Sequence, residues 1–143
     1  MPRIADPTKA KPAKSIVSVW QNATGWLVAV KLSKIQRDEQ PFILNGMISP
    51  QFNKQLYDAI DRILPGAAVQ CGYGKNEAIL QLMVDRDLVG RLLDSNPTDP
   101  DLESKLVEYL QPFEKDFIAL ETMIRKYLDE NAAYIRDWRR PVA

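Results

Sequence analysis

The chain has no histidine among its 143 residues. That removes the side chain that most often trades protons near neutral pH, the usual partner of a nucleophilic serine or cysteine, and the commonest zinc ligand. Hydrolases and metal sites built on imidazole are excluded by composition alone. Cysteine is nearly as scarce. Cys71 stands alone, so no disulfide can form within the chain. No apolar run approaches the roughly 20 residues that span a bilayer, and the start, Met1-Pro-Arg-Ile-Ala-Asp, lacks the apolar stretch of a secretion signal. A cytoplasmic protein without membrane contact is expected. Net charge is missing too, with 19 basic against 19 acidic side chains, so the molecule as a whole draws neither nucleic acid nor an anionic surface.

What is present suits one domain with its own core: 45% of the residues are hydrophobic, 27% are charged, and the mean hydropathy is −0.29. The charges are unevenly placed. Residues 1–35 carry six basic side chains against Asp6, residues 76–135 carry six basic against thirteen acidic, and the last eight carry Arg136, Arg139 and Arg140 against Asp137. Basic ends therefore flank an acidic C-terminal half. Complementarity within the chain or with a neighbour is one reading, and contact with a phosphate backbone is the other.

Residues 1–14 hold Pro2, Pro7 and Pro12 with Arg3, Lys9, Lys11 and Lys14 and little that is apolar. They read as a solvated basic tail, with an arm that orders on an acidic partner or a phosphate backbone as the alternative. From residue 15 to 95 the pattern is that of an α+β core. Ser15–Trp20 is β-branched, and after the turn around Asn22 the residues Trp26, Val28, Val30 and Leu32 alternate with Leu27, Ala29 and Lys31, so a hairpin is expected. A charged connection over 33–40 ends at Pro41. A third strand is expected over Phe42–Ile48, interrupted by Asn45-Gly46.

Ser49-Pro50 is a helix start, with serine as cap and proline in the first turn. Phe52, Leu56, Ile60 and Ile63 then fall on one face until Pro65-Gly66. Residues 67–73 and 78–84 form a second expected hairpin around Gly74-Lys75-Asn76-Glu77, followed by a helix over 85–93. A single helix over 77–94 is the alternative, because Leu80, Val84, Leu88 and Leu92 recur every four residues.

Ser95-Asn96-Pro97-Thr98-Asp99-Pro100 is the strongest break. Beyond it, residues 99–138 read as a long helical arm, kinked or broken at Pro112. The piece after that proline, about 27 residues, would be roughly 40 Å long. Steps of four and three residues pick out Phe113, Phe117, Leu120, Ile124, Tyr127, Asn131, Tyr134 and Trp138, the seam of a heptad. Ile118, Leu128, Ala132 and Ile135 widen it into a stripe.

No group of side chains assembles a catalytic, cofactor or metal site. Cys71 reads as a small buried hydrophobe. Asp85, Asp87, Asp99 and Asp101 fit helix caps better than a cation loop, and Gly72-Tyr-Gly74-Lys75 is a turn, not a phosphate loop.

The expected fold is α+β, a small antiparallel sheet of two hairpins plus one strand, packed by an amphipathic helix and extended by a long C-terminal helical arm. The expected function is a non-enzymatic assembly subunit that dimerises or docks on a protein partner through the seam. The alternative is a single-stranded nucleic-acid binder. There Trp20, Trp26 and Tyr73 would stack on bases, while Lys9, Lys11, Lys14, Lys31, Lys34, Arg136, Arg139 and Arg140 take phosphates.

Overall fold

Asn22 makes the first turn. Its side-chain oxygen accepts from the amides of Thr24 (3.1 Å) and Gly25 (2.8 Å), folding β1 (Val17–Gln21) back on β2 (Gly25–Gln36). Gly25 is required for a second reason: a Cβ there would collide with the carbonyl of Val84 and the backbone of Asp85 on the neighbouring strand. The computed structural model describes residues 16–44 and 49–139, apart from the side chains of Trp138 and Arg139. The expected tail over 1–14, with Lys9, Lys11 and Lys14, lies outside those residues, as do Asn45-Gly46 and Arg140.

The second hairpin pairs β3 (Ala68–Tyr73) with β4 (Glu77–Asp85), and β4 lies beside β2, giving an antiparallel sheet of order β1-β2-β4-β3. The ambiguity over residues 77–94 resolves as strand then helix. Asp85 accepts the amide of Leu88 at 2.7 Å and so starts α2 (Arg86–Leu93) where the strand stops. Period-two alternation sends Val19, Trp26, Val28, Val30, Leu32, Ala78, Leu80, Leu82 and Val84 to one face, each at most 3% exposed.

The helices cover that face. Ser49 caps α1 (Pro50–Ile63) by accepting from the Phe52 amide at 3.1 Å, and its apolar stripe of Phe52, Leu56, Ile60 and Ile63 joins the core. Leu102, Leu106 and Leu110 come from α3 (Leu102–Leu110). Pro112 then breaks the long segment as expected. A 3-10 turn over Gln111–Phe113 separates α3 from α4 (Glu114–Glu130), and Asn131 separates α4 from α5 (Ala132–Arg139).

One element differs from expectation. No strand forms over the described part of 42–48. Instead β2 continues to Gln36, and a 3-10 turn over Arg37–Phe42 follows, started by Glu39, whose carboxylate accepts the Gln36 amide at 2.9 Å. Phe42 and Ile43 are buried at the end of this turn and not paired in the sheet. Pro41 lacks the amide hydrogen a central strand needs, and Glu39 sits at the third position of a capping box.

Candidate interaction surfaces

The seam of the C-terminal segment is used inside the molecule. Phe117 and Ile124 are fully buried, and Leu120 and Tyr127 nearly so, all within the cluster that includes the sheet. Phe113 is partly buried against the same cluster, Asn131 is half-buried with its amide nitrogen on the Tyr127 carbonyl at 2.8 Å, and Tyr134 is exposed. Trp138 lies in α5, with its side chain outside the described residues. Leu128 and Ile135, from the parallel line, are also buried, while Ile118 is exposed. The seam thus offers little unburied surface before Asn131.

Three side chains of α4 reach the sheet backbone. Glu114 Oε2 accepts the amide of Ile16 at 3.2 Å. Lys34 sits where the pairing of β2 with β4 is interrupted between Leu32 and Gln36, and its amide donates to Glu121 Oε2 at 2.8 Å while its carbonyl accepts from Arg125 at 2.9 Å. Glu121 is a nearly buried carboxylate, so this bond satisfies a charge that would otherwise be costly to bury. Arg125 also holds Glu39 through two parallel bonds of 2.8 Å, and that carboxylate keeps its guanidinium above the ordinary arginine range. The charges of α4 stand in for a missing strand.

The sheet's other face is different. Trp20, Leu27, Ala29, Ile79 and Met83 are half-buried, yet they stand apart from the core cluster to which the helices contribute. The register lines them up in rows across the four strands: Trp20, Leu27, Met83, Ala68; then Ser18, Ala29, Gln81, Gln70; then Lys31, Ile79, Gly72. The indole N–H of Trp20 donates to Ser18 Oγ at 2.9 Å, so the ring lies along β1 on this face.

Of the residues expected to take nucleic acid, Trp26 is removed from contact: it is 1% exposed and its indole N–H donates to Glu103 Oε1 at 3.0 Å. Trp20 and Lys31 share the open face, whereas Tyr73 belongs to the opposite face at the sheet's edge. Lys34 and Arg136 are exposed elsewhere. The described ones among these residues do not come together on one surface.

Cys71 is partly buried, and desolvation pushes its thiol up to about 12, which suppresses the thiolate. Two of the four aspartates hold local backbone or side-chain groups. Asp85 caps α2, and Asp99 accepts from the Asp101 amide, from Ser95 and from Lys105. Among the described residues no three His, Cys, Asp or Glu side chains gather as ligands for a metal ion, and no helix is long and apolar enough to cross a membrane. No family model matches the chain, and no curated protein or solved structure matches it.

Proposed function

We propose that the protein is a non-enzymatic assembly subunit that pairs with a second copy of itself through the open face of its sheet. The observation that carries this reading is the row of Trp20, Leu27, Met83 and Ala68 on a face that no described helix helps to bury. Partly buried Trp, Leu, Ile and Met on adjacent strands, outside the core cluster, are the composition of a contact surface.

A second copy is the favoured occupant because the face complements itself. Sheets pack face to face with their strands nearly aligned. About a two-fold axis parallel to the strands, β1 of one copy lies over β3 of the other and β2 over β4. The bulky Trp20 then meets the small Ala68, Leu27 meets Met83, and Lys31 comes to Ile79, one step from Glu77. Large faces small, and a cation approaches a carboxylate. Four strands by three rows amount to roughly 400 Å2 of projected face per copy, below the roughly 800 Å2 of accessible surface each partner buries in a standard interface. The pair is therefore weak and dependent on concentration.

Light scattering across a concentration series from about 1 to about 200 μM tests it. The expected result is a shift from monomer to dimer that Leu27→Glu and Met83→Glu each abolish while the circular dichroism stays native. Lys31→Glu weakens the pair, and adding Glu77→Lys to it restores association. A chain that remains monomeric throughout the series overturns the reading.

A further inference from the structure

The fold holds three arginines in place, and they differ in what their donors do. Arg86 lies 5.0 Å from the centroid of Trp26 and gives Nε and Nη2 to the carbonyls of Pro97 and Asp99. Arg125 spends its donors on Glu39, Asp129 and the carbonyl of Lys34. Arg37 lies 4.1 Å above the centroid of Tyr73, but among the described residues its guanidinium donates no hydrogen bond and enters no ion pair. The ring holds the cation in place without using it as a hydrogen-bond acceptor would. The guanidinium of Arg37 is thus anchored, and its N–H groups are unfilled among the described residues.

Its surroundings are an open groove of about 630 Å3, within the size range of small-molecule sites. The walls come from the 3-10 turn after β2 and from the β3–β4 hairpin. Two bonds fasten them together: the Arg37 amide to the Asn76 carbonyl at 3.1 Å, and Gln40 Nε2 to the Cys71 carbonyl at 2.6 Å. Lys75 supplies a second cation, without an ion pair among the described residues, and Tyr73 remains 53% exposed beneath the guanidinium. Asp38 also lines the groove.

We propose that this groove binds a phosphate monoester carried on a flat ring, a nucleoside monophosphate. The unfilled N–H groups of Arg37 can take two phosphate oxygens, and Lys75 answers the second negative charge that distinguishes a phosphate monoester from a carboxylate. The exposed part of Tyr73 offers the base a surface on which to stack, and the Asn76 side chain adds both a donor and an acceptor at the rim. Arg37 and Lys75 together match the two negative charges of a monoester, so the monophosphate is the form proposed. Tyr73 faces away from the proposed dimer contact, and the site does not depend on that contact.

The test is a titration of the full chain, followed by amide NMR shifts and calorimetry, with uridine 5′-monophosphate, uridine, inorganic phosphate and uridine 5′-triphosphate as separate probes. The monophosphate is expected to shift the amides of residues 36–38 and 73–76 and to bind at least roughly tenfold tighter than either uridine or phosphate. Arg37→Lys keeps the charge but removes the fork and is expected to lose most of that gain, as is Tyr73→Ala. Both side chains are at the surface, so unfolding midpoints close to the parent's confirm that the fold is retained. Equal binding of inorganic phosphate and monophosphate, equal binding of uridine and monophosphate, or no shift at these amides overturns the proposal.

Discussion

The rings of Phe52 and Tyr127 lie parallel with their centroids 3.9 Å apart, and the Tyr127 hydroxyl donates to the carbonyl of Phe42 at 3.2 Å. One side chain of α4 therefore joins α1 to the turn that follows β2. Tyr127→Ala should cost about 3–5 kcal/mol, as removal of a buried aromatic does. Tyr127→Phe should cost about 1 kcal/mol, for the hydrogen bond alone. Urea denaturation measures both. Ile124→Asp should abolish the native circular dichroism, because Ile124 is fully buried in the chain's own core. A folded Ile124→Asp monomer would mean that this stripe does not serve the core.

The contact of Arg125 with Glu39 is bidentate, and both side chains are less than a third exposed. A double-mutant cycle with Arg125→Ala and Glu39→Ala should give a coupling of about 1–2 kcal/mol, falling as salt is added. Coupling near zero would place this pair with ordinary surface ion pairs.

Glu121→Leu leaves the Lys34 amide without its acceptor and should destabilise the chain by about 1–3 kcal/mol, whereas Glu121→Gln, which keeps a carbonyl oxygen there, should cost less. Hydrogen exchange at the Lys34 amide reads the same bond directly. Exchange should quicken in the leucine variant and stay slow in the glutamine variant.

Asp99 is held down to about 2, chiefly by its hydrogen bond from Lys105 and then by those from the Asp101 amide and Ser95. Its folded value lies below its unfolded one, so its contribution to stability is present above the ordinary carboxylate range and fades as the pH falls toward 2. Between about pH 5 and about pH 2 the urea midpoint should fall less steeply in Asp99→Asn than in the parent. Identical slopes would mean that Asp99 is not perturbed.

Cys71 should react slowly with a disulfide reagent at about pH 8 in the native chain and at the rate of a free thiol in urea, since desolvation lifts its proton affinity. Fast native labelling would contradict its placement.

Much of this architecture was legible because it is written in local periods. The alternation of Trp26 to Leu32, the four-residue steps from Phe52 to Ile63 and the break at Pro112 each depend on neighbours in sequence. The capping signal at Glu39 is equally local, but the apolar run after Pro41 competes with it, and Phe42 closes a 3-10 turn where the sequence predicts the start of a strand. The apolar character of the seam from Phe117 to Tyr127 is legible from period alone. Its cover was not legible, because period gives the facing direction of a stripe and not the identity of what it meets. Here the sheet takes it together with α1 and the turn that follows β2. The pairing of Arg37 with Tyr73 spans 36 positions and leaves no periodic trace, and the open face is visible only when the rows from four strands are laid side by side.

Lys34 has both of its main-chain polar groups occupied by Glu121 and Arg125. A strand whose exposed rim is free invites further strands to add, copy after copy, toward a fibre. By plugging that rim with charged side chains, α4 closes one route to open-ended growth. The two-fold pairing proposed for the other face of the sheet would, by contrast, be self-limiting, because each copy spends that face on the other.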